Sequence, residues 1–386
     1  MKSNIPPQKG DLLVKNGVII GIGKFEKTQA KKSIDLKGKY IMPTLSDAHV
    51  HLSRNEEGLK KQLTLNLING ITKVRSMRGE WKDKDLVKEF KLSMVTPKIY
   101  ICPPPIRWRQ NFNDSTLTAY FKKSQNFDFI KILSVKDEDT FKKIDSFAKL
   151  NKINIGGHFP KYISDTALVN SNYNSFEHLG GLIGIKKESL EKRVDWMKNK
   201  NIFVCPTLQW YVIGYGQHSV DDMLKQRGME YINDSIKKYW AKKSRQYRNK
   251  LGKIAFKEEV LKYSKELEER CKILKLLNDY NIKLLLSPDS SSKFIVSGFG
   301  LLEEMELYKK AGFSNYEILK TTTINFADFF NENYGTIELN KDADFLILNK
   351  NPLNNLDALK SIQGIFYDNK FLTKKDLKKL SKSILP

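Results

Sequence analysis

Tyr40-Ile41-Met42-Pro43-Thr44-Leu45-Ser46-Asp47-Ala48-His49-Val50-His51-Leu52 is the stretch on which the fold turns. It is short, mostly apolar, and closes on two histidines one residue apart. Side chains at i and i+2 of a strand share a face. A strand here presents His49 and His51 to one ion, with Ala48, Val50 and Leu52 packing behind them. A helix would send the two imidazoles to different sides. A chance His-x-His in a basic chain accounts for the pair as well, taken alone. Scarcity favours the ligand reading: the chain has 5 histidines in 386 residues, and this strand takes two.

Outward from that strand, the pattern becomes strands followed by helical segments, the alternation of a parallel sheet or barrel. Leu59 to Asn69 has a helical period, Gly70 to Ser76 and Lys98 to Ile101 read as strands, and Phe127 to Val135 is a strand followed by a helix from Asp137 to about Lys152. Three further strands end on groups of the ligand type: Ile153 to His158, Ser175 to His178, and Lys283 to Asp289. Reactive groups in parallel α/β folds gather at the carboxyl ends of strands, where the loops share one open face. A lone histidine at a strand end is more often structural. Four of the five histidines so placed, with Asp289, suggest a metal site.

Lys131 sits inside Phe127-Asp128-Phe129-Ile130-Lys131-Ile132-Leu133. So apolar a setting sends a lysine to water, gives it a partner, or strips its charge. On an edge strand it would snorkel out; on a strand buried on both faces it belongs to the metal site. A neutral lysine amine can take up carbon dioxide and become a carbamate, an anionic ligand able to bridge two cations.

Before the histidine strand, Asp11 to Gly23 reads as a hairpin turning at Asn16-Gly17, and Ser33 to Leu36 as another short strand. The hydrophobic content of 40% supports a large core. Cys102, Cys205 and Cys271 are odd in number and far apart, against a disulfide framework or zinc knuckle. Met1 to Gln8 lacks the apolar core of a signal peptide, and no later run is long enough to span a membrane. The net charge of +23 invites a nucleic-acid reading. Most of the excess is lysine interleaved with glutamate, as in Lys257-Glu258-Glu259, with no nucleic-acid module signature; a solvated lysine-rich surface accounts for it.

Together these residues resemble the metal-dependent amidohydrolases, in the imidazolonepropionase-like and Xaa-Pro-dipeptidase-like branch, over nearly the whole chain. Tyr40 to Leu52 resembles the family's apolar-PGLID-x-H-x-H strand, Gly70 to Ser76 its G-x-T-T-V-R-D, and Ile130-Lys131-Ile132 its carboxylated-lysine strand. His158, Glu177-His178 and Asp289 fall where the fifth-, sixth- and eighth-strand groups are expected. Thr323 to Ala327 and Gly335 to Leu348 resemble the T-x-N-x-A and G-x-I-x-x-G-K-x-A-D signatures. Thr44, Ser46, Pro288 and Asn340 depart from the pattern without removing a ligand.

The resemblance implies a (β/α)8 TIM-type barrel over residues 43–334, with a helical insertion at about 221–278 that is an outer helix pair or a lid. Residues 1–42 and 335–386 would form a small β-sandwich. It implies His49, His51 and Asp289 around one divalent ion, His158 and His178 around a second, and carboxylated Lys131 bridging them. Mixed nitrogen and oxygen ligands suit two Zn²⁺, with Mn²⁺, Co²⁺ or Fe²⁺ as alternatives. Activated water would attack an amide, cyclic amide or dipeptide carbonyl, with Asp289 as ligand and base. Lactones, phosphotriesters and an inactive binding protein share the scaffold and stay open.

Tyr211, after Pro206-Thr207-Leu208, contacts substrate or packs under a loop; Arg107 and Arg109 bind a carboxylate or face solvent; His218 is structural. The expected partner is a small-molecule amide or peptide, with no nucleic acid and no membrane, and a homo-oligomer is allowed. The family often begins with an extra strand and an export signal, which residues 1–10 do not supply. The chain as given therefore reads as cytoplasmic.

Overall fold

The computed structural model describes residues 7–25 and 30–386. The reading of residues 1–6 as lacking an export signal lies outside the described residues. Fourteen strands are seen among those described. They are β1 (Asp11–Lys15), β2 (Val18–Gly23), β3 (Tyr40–Pro43), β4 (Leu45–Val50), β5 (Ile71–Ser76), β6 (Lys98–Ile101) and β7 (Ile130–Ile132), followed by β8 (Ile155–His158), β9 (Tyr173–Glu177), β10 (Phe203–Cys205), β11 (Lys283–Leu284), β12 (Phe345–Leu348), β13 (Ile362–Tyr367) and β14 (Lys370–Thr373).

The strands β4 to β11 are the parallel staves of a (β/α)8 barrel. They form two arcs, β4-β5-β6 and β7-β8-β9-β10-β11. Single bridges close both seams. Ile106 pairs with Ile132, its N–H reaching the Lys131 carbonyl at 2.9 Å. Val50 pairs with Ser290, and the Ala48 N–H reaches the Leu286 carbonyl at 3.1 Å. Every residue of β4 is buried, as expected of a parallel strand covered on both faces. Helices follow the strands in turn, several started by side-chain caps: Asn55 accepts from the Gly58 N–H, Asn113 from Thr116, and Asp137 from Thr140.

The opening stretch, read as one strand, serves two sheets. Its first half, β3, pairs antiparallel with β12 in the sheet β14-β13-β12-β3; its second half, β4, enters the barrel beside β5. The change happens at Thr44, whose N–H reaches the Asp344 carbonyl at 3.0 Å while Leu45 turns to the Gly70 carbonyl at 2.9 Å. The β1-β2 hairpin turns at Asn16-Gly17, both with positive φ, and is tied to the far end of the chain by a Val18–Asp342 bridge. Ile19, Ala343, Phe345 and Ile347 form an apolar cluster that joins the hairpin to that sheet. Ser46 exchanges hydrogen bonds with Thr322.

Three expectations need correction. Lys283 to Asp289 contributes only Lys283–Leu284 to the ladder, with Asp289 in the loop beyond it. Ser33 to Leu36 is not a strand: Asp35 accepts the Lys37 N–H at 2.8 Å and Lys39 bonds back to Leu36, so local side-chain and turn bonds replace a ladder. Phe127 to Val135 contributes only Ile130–Ile132 to the ladder, although Phe127 and Phe129 are buried beside it. The stretch about 221–278 consists mainly of the helices Asp234–Leu251 and Lys253–Asp279. No helix among the described residues is long and apolar enough to cross a membrane.

Candidate metal centre

The four strand-end histidines, Lys131 and Asp289 converge at the carboxyl ends of the staves. His49, in β4, is fully buried. Its Nδ1 lies 2.8 Å from Glu177 Oε2, while its Nε2 faces Lys131 Nζ at 3.5 Å and Asp289 Oδ1 at 3.9 Å. His51, one residue beyond the strand, places Nε2 2.9 Å from Asp289 Oδ1. His178 follows β9, with its ring 4.8 Å from that of His49 and 5.0 Å from that of His158. Ligand atoms of His49, His178 and Asp289 all lie within 4.8 Å of one another. His178 and Asp289 both have φ of +64°, and Thr207 beside them +52°, left-handed values that cost energy outside glycine and cluster where geometry matters.

Tautomers follow from the partners. The Thr207 hydroxyl donates to the Pro206 carbonyl at 2.8 Å, so its oxygen accepts the His178 Nδ1–H at 2.5 Å. The Glu177 carboxylate likewise accepts from His49 Nδ1. Both arrangements leave an Nε2 lone pair directed into the cluster, as a metal requires. Burial pushes His49 and His178 well below the usual imidazole range and His158 down to about 4, with the Lys131 charge adding to it, so neutral rings are favoured. Burial pulls the Asp289 carboxyl up, but His49 and His51 outweigh it and hold the group below its ordinary range. Lys131 is buried; burial lowers its pKa, and no carboxylate pairs with its Nζ among the described residues. Neutral imidazoles, one carboxylate and a desolvated amine fit a divalent cation.

Buried acids hold these groups in place, and residue-by-residue reading of the chain had not singled them out. Arg75 is fully buried; its Nη2 donates to Glu177 Oε1 and to Ser175 Oγ at 3.1 Å, and its guanidinium lies 5.0 Å from the Phe129 and Phe329 rings. Arg75 thus clamps the carboxylate that orients His49. The signal was present: an arginine in the apolar run Ile71–Ser76 needs a buried anion. Asp47 accepts from the hydroxyls of Ser287 and Ser290 (the latter at 2.8 Å), tying β4 to the loop that carries Asp289; burial raises its carboxyl to about 7. Glu304, on the helix Gly300–Lys310, accepts the Leu208 and Gln209 N–H groups at 2.8 and 2.6 Å, fixing the backbone after Thr207.

Tyr211 directs its hydroxyl to the His178 carbonyl at 3.1 Å. Arg270, from the helix Lys253–Asp279, reaches the same carbonyl at 2.8 Å and covers the Tyr211 ring at 3.4 Å. The long helix is thereby pinned to the mouth of the barrel. His218 is exposed and takes no part.

Glu304 supplies a pH test. Burial raises its carboxyl from 4.5 to about 8, so its contribution to stability is complete below the unfolded value and is lost as pH rises through about 8. The difference in melting temperature between the native chain and Glu304→Gln should therefore change between about pH 5 and 8, with the native chain losing more on the alkaline side. Parallel pH profiles for the two proteins would show that Glu304 is ionised throughout.

Residues 212–373 match the family model described as the amidohydrolase family. Adenine deaminase of Petrotoga mobilis is 55% identical over 42 residues, 11% of this chain and 7% of that protein; the Geobacillus kaustophilus enzyme is 38% identical over 66 residues, 17% of this chain and 11% of its own length. The chain's match thus spans about a tenth of the length of these curated relatives. The solved bottromycin amidohydrolase superposes with a TM-score of 0.76 at 20% identity, covering 97% of this chain and 85% of that one. A Xaa-Pro dipeptidase with bound methionine in the active site gives 0.66 at 14%, covering 94% of each. The superpositions show that the chain shares the barrel fold of these solved proteins, and the segment 212–373 is similar to the amidohydrolase family.

Proposed function

We propose that this chain is a metal-dependent hydrolase that breaks a carbon–nitrogen bond of an amide, cyclic amide or dipeptide. The barrel over residues 43–334 would be the catalytic unit, and segments 1–42 and 335–386 its support. One observation carries the reading: His49, His178, Asp289 and buried Lys131 meet at the open end of the barrel, and no carboxylate pairs with the Lys131 amine among the described residues.

In this reading His49, His51, His158, His178, Asp289 and a carboxylated Lys131 would hold divalent metal, best matched by two Zn²⁺. Such ions, when bound, polarise a carbonyl and lower the pKa of water. The chain's own groups do the rest. Glu177 and Thr207 keep the His49 and His178 rings in one tautomer. Asp289, bonded to His51, would accept a proton at Oδ and deliver it to the leaving nitrogen. Tyr211 and Arg270 fix the His178 turn.

The test is a screen of zinc- and manganese-loaded protein against dipeptides, N-acyl amino acids, cyclic amides and adenine, the last because of the deaminase likeness. Amide or amidine hydrolysis is expected in at least one class. Asp289→Asn should retain part of its metal and lose about 100-fold or more in kcat, in line with removal of a general base. Full turnover in Asp289→Asn would overturn its role as base. Turnover of lactones or phosphotriesters alone would overturn the C–N reading.

A further inference from the structure

A concavity of about 590 Å³ is lined by Arg54, Arg78, Trp81, Lys82, Arg107 and Arg109 with the Pro104-Pro105 turn. Its position follows from the strands. Met77 donates to the carbonyl of Val50, the residue between His49 and His51, at 2.9 Å, and Arg78 is next in the chain. Ile106 donates to the carbonyl of Lys131 at 2.9 Å, and Arg107 is next. Arg54 lies three residues beyond His51, a separation of at most roughly 11 Å along the chain. Three loops from neighbouring staves therefore bring their cations to the rim of the same mouth.

The charge there is unbalanced. Among the lining residues five are cationic and only Glu80 is acidic. Glu80 is already used, 2.7 Å from Arg54 Nε and 3.7 Å from Lys82 Nζ. Arg78, Arg107 and Arg109 enter no ion pair among the described residues; Arg109 instead lies 5.2 Å from the Trp108 ring. Converging guanidinium groups repel one another, and their forked donors match carboxylates in pairs. A single carboxylate would leave most of this charge uncompensated. A wall of Trp81 and two prolines suits the carbon skeleton between two anionic ends.

We propose that this concavity is the subsite for the amine half of the substrate, and that the amine half is an acidic amino acid with two anionic groups. The proposal rests on the amide-hydrolase reading and narrows it to N-acyl or aminoacyl derivatives of aspartate and glutamate. The acyl carbon is held at the metal centre, the α-carboxylate and side-chain carboxylate extend to the arginines, and hydrolysis releases the acidic amino acid. A phosphorylated amine half offers the same charge, so the test separates the two.

The experiment uses the metal-loaded full chain in two measurements. The first compares kcat/KM for matched dipeptides: Ala-Glu with Ala-Gln, Ala-Asp with Ala-Asn, and Ala-phosphoserine with Ala-Ser. The acidic carboxylate members should be favoured by about tenfold or more, chiefly through KM, and the advantage should shrink as salt rises. Charge reversal at Arg107→Glu or Arg78→Glu should reduce or invert the preference. The second measures calorimetric binding of free glutamate and glutamine, which needs no turnover. Glutamate binding that is lost in Arg107→Glu supports the subsite even if no dipeptide is cleaved, and that combination would reject the hydrolase reading alone. Equal rates for acidic and neutral members, unchanged in the charge-reversed variants, would overturn the proposal while leaving hydrolysis intact. A preference confined to the phosphorylated peptide would overturn the dicarboxylate assignment.

Discussion

Lys131→Ala is expected to lose most bound metal and nearly all activity while the barrel stays folded. The Nζ is buried 3.5 Å from His49 Nε2 and has no carboxylate partner among the described residues, so truncation removes a group facing the candidate ligands and not a structural ion pair. If the amine acts as its carbamate, excess acetate or propionate should partly restore metal and turnover by filling the vacated space. Lys131→Glu should retain some metal, because a carboxylate is the nearest permanent mimic, although its shorter reach weakens a bridge. Lys131→Arg should fare as badly as alanine, since a guanidinium stays charged and cannot take up carbon dioxide. Metal content and kcat, read together across the four proteins, decide it. Normal turnover in Lys131→Arg would reduce Lys131 to a buried structural lysine. The site would then be redrawn as His49, His51, His158 and Asp289 around one ion.

The second large effect is expected at the Arg75–Glu177–His49 relay. All three side chains are fully buried, and Glu177 bonds to both of the others. Arg75→Met leaves a buried carboxylate short of its strongest donor, and breaking such a pair from one side costs about 3–5 kcal/mol. Glu177→Gln keeps the shape and most of the stability but offers an amide in place of the charged acceptor at His49 Nδ1. Loss of an outer partner of this kind typically weakens metal binding about 10- to 100-fold. Chemical denaturation should therefore single out Arg75→Met, and metal titration should single out Glu177→Gln. Unfolding and metal affinity both within twofold of the native chain, in both variants, would show that the relay positions nothing.

Much of the fold was legible because its cues are local. Buried parallel strands announce themselves as short apolar runs, and the asparagine and aspartate caps mark where the following helices start. The meeting of the candidate groups was legible for a related reason: parallel strands open onto one face at their carboxyl ends, where His49, His158, His178 and Asp289 lie together. The supports were hidden because each depends on a pairing across the barrel. Nothing near Glu304 in the chain says that it caps a helix almost a hundred residues earlier, and nothing near Asp47 says that its acceptors face Ser287 and Ser290. The split at Thr44 was hidden too, since one uninterrupted apolar stretch gives no sign that it changes sheets. Ser33 to Leu36 misled in the opposite way, because its composition suits a strand but Asp35 closes a turn first.

Metal content decides whether the cluster of His49, His178, Lys131 and Asp289 is a metal site. The purified full chain would be stripped with chelator, reloaded with Zn²⁺ in bicarbonate buffer, freed of excess ion and analysed for metal per chain. About two ions per chain are expected, as are a marked rise in melting temperature over the stripped protein and a loss of both in a His49→Ala, His178→Ala double variant. A folded chain that retains no zinc, or one whose zinc content is untouched by that double substitution, would contradict that assignment.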